Sequence, residues 1–514
     1  MKLLLNFLFF SFFNLIISGA GTQKYEIKSP DSNIIVNVEA GKSIIYSVFY
    51  KGKILILPSE INLSFQPDNY MGKIPVITYS SKKSVSADII PVVKEKQAVI
   101  PDIYNILTLR FKNHLELQIR VYDDGVAYRF TTSIPGNINI AGEEANFNFS
   151  PGTIIYYPQV TKRSDADIFH TSFEETYTKA SLDTISKNLF AFSPVLLQPE
   201  SQPKVLITES DVDDYPGMFL VSGATGGLKG RFAPYPKKEV ETGEGFRQKL
   251  VVQRETFLAK TKGTRSYPWR VMAIAPVDAD LLKNDLVYRL APDPSFSDFT
   301  WIKPGKSTEE WITGLNLYNV DFKAGLNTQT YKYYIDFAVR FGFQYVMLDA
   351  GWSNVNDLFK ITPGMDMEEI TLYAKEKGIG LILWTQALTI EKQMDKALEQ
   401  FKKWGIKIVM TDFVDRNDQI AINFLHRFAS ECARNNFICM IHGAPIPAGF
   451  SRTYPNMLAR ESVLGSEYNA WSARANPEHD LMLPFIRMVS GPMDYEPGIL
   501  QNATKEQIVK MGFE

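Results

Sequence analysis

The 514-residue chain is poor in cysteine and has almost no net charge. Its two cysteines, Cys432 and Cys439, belong to one predicted helix-to-strand segment, which excludes a framework of disulfides and predicts free, buried thiols. A net charge of −2 gives no basic field for a polyanion, so we expect no nucleic-acid partner. With 45% hydrophobic and 22% charged residues, the composition is that of a globular protein of roughly two or three domains.

The N-terminus carries a long apolar run. Lys2 precedes an apolar stretch from Leu3 to Ile17, and the small residues Ser18, Gly19 and Ala20 follow it. This order predicts a secretory signal peptide over residues 1–20, cut near Ala20. A membrane anchor is the competing interpretation, but the stretch is short for a membrane span. We therefore expect a protein secreted across the inner membrane into the periplasm, with no span left after cleavage.

Residues 21–290 have the pattern of an all-β domain. Runs such as NIIVNVEA, KSIIYSVFY and LELQIRVYDDGVAYRFTT are rich in β-branched and aromatic residues, and turn pairs such as Asp-Gly and Gly-Asn separate them. The pattern predicts a large sandwich of antiparallel sheets. The segment LAPDPSFSDFTWIKPGK, with three prolines, marks the boundary to the next domain.

Residues 291–514 alternate between helix and strand. Helical segments that end in Gly or Asn lead into apolar strands, as in YKYYIDFAVRFG before FQYVMLDAGW, which is typical of a (β/α)-type barrel. We expect a weak first strand near Trp311 and a seventh strand near Asp494. The chain stops shortly after that seventh strand, so the predicted (β/α)8-type catalytic barrel is C-terminally incomplete.

The predicted strand ends carry residues that are suited to chemistry. Asp412 follows the apolar run of Ile408, Val409 and Met410, at the place where a barrel strand meets the active-site face. Two carboxylates that face one pocket are what glycoside hydrolysis requires. The residues expected on this face are Asp349, Trp352, Trp384, Gln386, Asp412, His442, Glu461, Glu467 and Asp494.

Several motifs of the second half resemble those of one enzyme family. TWIKPGK, DAGW, HGA, RTYPN, ESVLGSEYN and PFIRMVSGPMDY occur in one order, and from roughly Tyr25 onward the chain resembles glycoside hydrolase family 97, exported α-glycosidases of Bacteroidetes. The resemblance implies a fold of α/β plus all-β class: an N-terminal β-supersandwich of the mutarotase type, followed by the catalytic barrel and a C-terminal β-domain. It also implies a calcium ion beside the substrate and one of two mechanisms, retaining or inverting.

The resemblance places this chain in the retaining, α-galactosidase-like branch. Inverting members have a glutamate base directly after the histidine of the fifth strand, whereas Gly443 follows His442 here. Retaining members place an aspartate nucleophile at the end of the fourth strand, the position of Asp412. Asp415 is the alternative nucleophile, but we expect it to pair with the neighbouring Arg416.

The resemblance also assigns the other roles. It makes Glu467 the general acid/base and a calcium ligand, and Glu461 a second ligand. The third ligand comes from the N-terminal domain, where Glu174 is favoured over Glu175 because Phe173 supplies the aromatic residue that precedes the ligand. The residues expected to bind the substrate are Asp349, Trp352, Trp384 and His442.

The predicted activity is that of an exo-acting retaining α-galactosidase with Ca²⁺ in its site and an α-galactoside oligosaccharide as its substrate. β-L-Arabinopyranosides are the alternative substrate, because they share the ring stereochemistry of galactosides, and α-glucosides are a further one within the family. A transglycosylase and a non-catalytic carbohydrate-binding protein are the competing functions. The sequence makes no prediction of the oligomeric state.

Overall fold

The structure is a computed structural model that describes residues 22–497, except 67–74, 113, 224–225, 244, 313 and 316. The predicted signal peptide and the residues after 497 lie outside the described part. Within that part, each helix is too short or too polar to cross a bilayer.

The first part of the chain is built almost entirely of antiparallel strands. They are β1 (Gln23–Lys28), β2 (Ile34–Ala40), β3 (Ile44–Tyr50), β4 (Lys53–Gln66), β5 (Ile77–Ile89), β6 (Ile100–Phe111), β7 (Leu115–Tyr122), β8 (Gly125–Asn148), β9 (Ile154–Pro158), β10 (Tyr177–Ser181), β11 (Phe190–Phe192), β12 (Val195–Gln198), β13 (Lys204–Ser210), β14 (Met218–Ser222), β15 (Gly227–Phe232), β16 (Pro236–Thr242), β17 (Gln248–Arg254), β18 (Ala259–Ser266) and β19 (Trp269–Ala275).

Strand β8 connects the two layers of this part. Its first half pairs with β7 and β19, its middle with β18, and its second half with β4 and β15. Alternating side chains of β2, β3 and β7, including Val36, Val48 and Leu117, are buried in one apolar core between the layers. This arrangement is the predicted β-supersandwich, because a strand that serves both sheets bends them around a common core.

The second part alternates helices with parallel strands. The helices of the chain are α1 (Asp278–Lys283), α2 (Leu286–Leu290), α3 (Thr328–Phe341), α4 (Met367–Lys377), α5 (Ala387–Trp404), α6 (Gln419–Arg434), α7 (Phe450–Thr453) and α8 (Pro477–Met482). The remaining strands are β20 (Ser307–Thr308), β21 (Tyr345–Leu348), β22 (Ser353–Asn354), β23 (Asp357–Ile361), β24 (Gly380–Gln386), β25 (Ile408–Asp412), β26 (Ile438–Ile441) and β27 (Met457–Arg460).

Six of these strands form one parallel sheet in chain order, β20-β21-β24-β25-β26-β27, which curls into a half-barrel. Helices α3, α4 and α5 end at Gly342, Gly378 and Gly405, each in the left-handed conformation that glycine adopts without strain. These glycines end the helices where the sequence predicts it. Each helix then returns the chain to the start of the next strand, so the strand C-termini meet at one edge.

Two strands of the barrel differ in detail from the prediction: the first lies earlier in the chain, and the seventh is at the predicted place but very short. The first strand is Ser307–Thr308, before Trp311. Just past it, the Glu310 carboxylate accepts hydrogen bonds from the Tyr331 hydroxyl and the Asp349 amide. The seventh strand is reduced to one parallel bridge between Arg460 and Met493. Gly491 and Pro492 precede that bridge, and proline has no N–H to extend a ladder.

The segment after β27 packs against the β-supersandwich. It contains the 3₁₀ turns Ser466–Ala470, Leu483–Phe485 and Arg487–Ser490. Val463, Leu483 and Ile486 share an apolar cluster with Trp269 of β19 and Leu286 of α2. The two parts of the chain are therefore joined by a buried apolar contact as well as by loops. The prediction of free, buried thiols at Cys432 and Cys439 is confirmed.

Candidate active site

The C-terminal edge of the half-barrel gathers carboxylates from consecutive strands. Because the strands are parallel and in register, with Gln386 opposite Asp412, the residues that follow them fall along one rim. The acidic residues at or just past these strand ends are Glu309, Glu310, Asp349, Asp412, Asp415, Glu461, Glu467, Asp494 and Glu496.

Asp412 is held in one orientation by two hydrogen bonds. Its Oδ1 accepts from the Phe413 amide (2.5 Å) and its Oδ2 accepts from Trp384 Nε1 (3.3 Å). Burial raises the pKa of Asp412, while the charge of His442 and these two hydrogen bonds act to lower it. The carboxylate is therefore aimed and partly compensated by its neighbours, as a nucleophile has to be.

Asp415 does not pair with Arg416, so that expectation is wrong. The Arg416 guanidinium donates to both oxygens of Asp418, from Nε at 2.8 Å and from Nη2 at 2.9 Å. Asp415 instead accepts a hydrogen bond at Oδ2 from Gln248 Nε2 (2.6 Å), a residue of β17 in the N-terminal part. Burial and the nearby charge of Asp412 raise the pKa of Asp415 to about 7.

Gly443 lies against both aspartates. Its φ of +49° is left-handed, and a Cβ at this position would stand 2.6 Å from Asp415 Oδ1 and 3.1 Å from Asp412 Oδ1. Its N–H donates to Glu461 Oε2 at 3.0 Å. The left-handed backbone disfavours a side chain and the space beside it is filled, so the site is shaped around a glycine.

Three carboxylates meet next to this glycine. Glu174, Glu461 and Glu467 each offer an oxygen, and these oxygens lie within 4.8 Å of one another. Burial raises the pKa of Glu174 to about 8, and the negative charges of Glu467, Asp415 and Asp412 add to that shift. Such a trio is stable only if it shares protons or binds a cation, because like charges repel strongly at this range.

The neighbouring Glu175 points elsewhere. Its carboxylate forms an ion pair with Arg474 and accepts from the Thr161 amide (3.4 Å). Phe173, in a left-handed conformation with φ of +67°, has its ring 5.4 Å from that of Phe192 in the N-terminal core. With Phe173 anchored there, Glu174 and not Glu175 lies in the trio with Glu461 and Glu467.

Glu467 lies in the 3₁₀ turn Ser466–Ala470, and Trp311 contacts it from the other side of the rim. The indole Nε1 of Trp311 donates to Glu467 Oε2 at 3.0 Å. This hydrogen bond fixes one oxygen of the predicted acid/base.

His442 is surrounded by carboxylates. Its Nε2 lies 2.9 Å from Asp494 Oδ2, and its Nδ1 lies 3.8 Å from Glu461 Oε1 and 3.7 Å from Glu496 Oε1. Burial by itself would lower the pKa of His442, but Glu461, Asp494 and Glu496 outweigh it and hold the pKa well above its usual value. These carboxylates therefore favour the protonated form of His442, whose charge offsets part of the negative charge of the site.

The other predicted substrate-binding residues are distributed between the rim and the core. Asp349 is at the rim, where burial raises its pKa to about 7 against the hydrogen bond from the Ala350 amide. Trp384 lies inside the sheet and holds Asp412. Trp352 is 1% exposed and packs on Phe401, so it faces the helix layer. It reaches the site only through its Nε1, which donates to the Trp384 carbonyl at 2.9 Å.

Several residues of the site were missed by the sequence analysis. Glu309, Glu310 and Glu496 adjoin strand ends, and a correct first strand would have identified the first two. Gln248 gave no such signal, because it belongs to a hairpin 167 residues before its partner Asp415.

Comparisons with known proteins identify the family of the chain. Residues 310–463 match the family model described as Glycoside hydrolase 97, and residues 27–292 match the model described as Glycosyl-hydrolase 97 N-terminal. A retaining alpha-galactosidase of Bacteroides thetaiotaomicron is 37% identical over 498 residues, which cover 95% of this chain and 75% of that protein.

Solved structures share the fold. A Glycoside Hydrolase Family 97 enzyme from Pseudoalteromonas sp. strain K8, in complex with acarbose, superimposes with a TM-score of 0.81 at 22% identity. The match covers 93% of this chain and 75% of that chain. A beta-arabinopyranosidase superimposes with a TM-score of 0.77 at 21% identity, over 93% of this chain and 76% of its own.

The packing around Gly443 predicts that Gly443→Ala impairs turnover. The new Cβ displaces Asp412 or Asp415, and we expect kcat on an aryl glycoside to fall about 10-fold or more, since small misplacements of reacting groups have large effects. The matched control is Gly378→Ala at the end of α4, where φ is +73° and nothing lies within 4 Å. It has the same backbone strain of about 1 kcal/mol and no clash, so only its melting temperature falls. Full activity of Gly443→Ala contradicts this account of the site.

Proposed function

The chain belongs to glycoside hydrolase family 97, and on this basis we propose that it is an exported, exo-acting retaining α-galactosidase that uses a calcium ion. The observation that carries the proposal is the contact of Gly443 with Asp412 and Asp415. The Asp412 carboxylate is held in one orientation at the end of β25. At position 443 there is no space for a side chain that could activate water opposite Glu467.

In the proposed mechanism Asp412 is the nucleophile. Its carboxylate attacks the anomeric carbon while Glu467 donates a proton to the glycosidic oxygen. The bond from the anomeric carbon to that oxygen breaks, the leaving sugar departs with the proton, and the galactosyl group stays behind as an ester of Asp412. In the second step Glu467 accepts a proton from water as that water attacks the same carbon. The ester bond breaks, Asp412 leaves as a carboxylate, and the two inversions give net retention.

Neighbouring groups support these two roles. The hydrogen bonds from the Phe413 amide and Trp384 Nε1 favour the ionised form of Asp412 and aim it. The bond from Trp311 Nε1 holds Oε2 of Glu467, and the proposed acid/base exchanges its proton at Oε1. We propose that Asp349 and His442, at the same rim, bind hydroxyl groups of the galactosyl ring, while Trp384, braced by Trp352, maintains the position of the nucleophile.

Glu174, Glu461 and Glu467 are the residues that would hold the calcium ion. They fit it because calcium takes several carboxylate oxygens, and because a cation would stabilise the ionised form of Glu174, whose pKa is raised by burial and further by the negative charges around it. The bound ion would supply positive charge that orders Glu467 and polarises substrate hydroxyls. The export of the protein rests on the pattern of residues 1–20 alone.

We predict that Asp412→Ala loses hydrolysis by at least about 10³-fold, because the group that forms the ester is gone. Azide then enters the vacated space and restores turnover of an activated aryl α-galactoside, with β-galactosyl azide as the product. Asp415→Ala is the matched control, and it keeps measurable hydrolysis without azide rescue. The assignment fails if the two variants exchange these behaviours.

The stereochemistry of the first product provides an independent test. Two inversions at the anomeric carbon mean that α-galactose is released before β-galactose. Proton NMR in the first minutes, before mutarotation mixes the anomers, measures this. Early β-galactose would show that Asp412 is not the nucleophile.

Parallel assays on aryl β-L-arabinopyranoside and aryl α-glucoside rank the substrates, and faster cleavage of either would overturn the galactoside specificity.

We predict that removal of calcium lowers activity about 10-fold or more, and that added calcium restores it. Glu461→Gln weakens the site in the same direction, whereas Glu175→Gln, which changes the neighbouring carboxylate outside the trio, has little effect. Calcium at about 100 times its Kd raises the unfolding free energy by about 2.7 kcal/mol, which a thermal melt detects. Unchanged activity and stability after verified metal removal would rule the ion out.

A further inference from the structure

Two exposed tryptophans lie beside Glu467. Trp311 is 46% exposed and Trp471 is 43% exposed, whereas the other five tryptophans, all within the described residues, are buried or half-buried. Leaving large apolar rings in water is unfavourable. Exposed rings that adjoin a catalytic carboxylate therefore indicate a surface that binds a ligand.

These rings form one surface, which we call the aromatic platform: Trp311, Tyr468 and Trp471. The ring centroids of Trp311 and Trp471 are 6.1 Å apart, and those of Tyr468 and Trp471 are 5.1 Å apart. Trp311 follows β20, while Tyr468 and Trp471 belong to the turn that carries Glu467 and the residue after it. The platform is therefore assembled around the acid/base from segments that are far apart in the chain.

Trp311 links the platform to the chemistry. The Nε1 at one edge of its indole donates to Glu467 Oε2 at 3.0 Å, and much of the ring remains exposed. A general acid must come within about 2.6–3.2 Å of the oxygen that it protonates. The leaving group, which is attached through that oxygen, therefore begins next to Glu467 and close to the ring of Trp311.

We propose that the aromatic platform binds the first sugar ring of the leaving group, and that it makes the enzyme selective for oligosaccharide α-galactosides over galactosides with small leaving groups. This inference rests on the proposed function, in which Glu467 protonates the leaving oxygen. A pyranose ring presents C–H faces that stack on aromatic rings. Arg474, whose guanidinium lies 5.6 Å from the Tyr468 ring centroid, adds N–H donors at the rim for its hydroxyls.

The test compares two substrates that have the same galactosyl group, attacked by the same nucleophile, but different leaving groups. Raffinose releases a sucrose unit, whereas α-galactosyl fluoride releases fluoride, which has no ring to stack. Trp471→Ala is the informative variant, because Trp311 also holds Glu467. We expect the ratio of kcat/KM for raffinose to kcat/KM for the fluoride to fall about 10-fold, mainly through a higher KM for raffinose. Equal losses on both substrates, or no loss on either, overturn the proposal.

Phe341→Ala is the matched control. Phe341 is an aromatic residue with 55% exposure at the end of α3, and this helix end precedes β21 and so lies at the opposite edge of the sheet. We expect the substrate ratio of this variant to equal that of the wild type. A similar fall in Phe341→Ala would overturn the proposal, because the ratio would then report general damage.

A binding measurement separates this proposal from the proposed function. Glu467→Gln is titrated with raffinose and followed by tryptophan fluorescence, which needs no turnover. The platform is supported if the quenching is saturable and the Kd for raffinose rises at least five-fold when Trp471→Ala is added. This holds even if the wild type cleaves neither galactoside and the proposed specificity fails. Quenching that is absent, or unaffected by Trp471→Ala, overturns the platform, even if α-galactosidase activity is confirmed.

Discussion

The docking of the β-supersandwich onto the loop after β25 is the contact on which the whole site depends. The Thr171 amide donates to the Asp415 carbonyl at 3.0 Å, and the Gly217 amide donates to the Asn417 carbonyl at 3.0 Å. A Cβ on Gly217 would stand 2.2 Å from the Asn417 side chain, so the two backbones approach as closely as glycine allows. This docking carries Glu174 into a site whose other acids come from the half-barrel.

The second constraint is the excess of negative charge that the docking creates. Burial raises the pKa of Glu174 to about 8, of Asp415 to about 7 and of Glu496 to about 9, so these groups resist ionising together. His442 is one compensating cation, and the proposed calcium ion would be another. The charges of this site are therefore coupled, and a change at one carboxylate alters the protonation of the rest.

Gly443 is the residue on which the proposed choice of a retaining over an inverting mechanism depends. Any side chain there meets Asp415 and Asp412, and the left-handed backbone disfavours it further. A glutamate base at that position would require the loop after β25 to be rebuilt. The glycine is thus the complement of the proposed nucleophile Asp412, because Asp415 and Asp412 occupy the space that a side chain at position 443 would need.

The sequence alone determined the elements and the residues at their ends, because apolar runs, glycine stops and the carboxylates that follow them are local signals. Asp412 and Glu467 were predicted in this way, and the family resemblance supplied their roles and singled out Gly443. Only the tertiary structure decided which side chains meet. It paired Asp415 with Gln248, a residue 167 positions earlier, and placed Trp352 in the core. Such contacts depend on how two domains dock, and a periodic pattern within one segment contains no information about a partner in another.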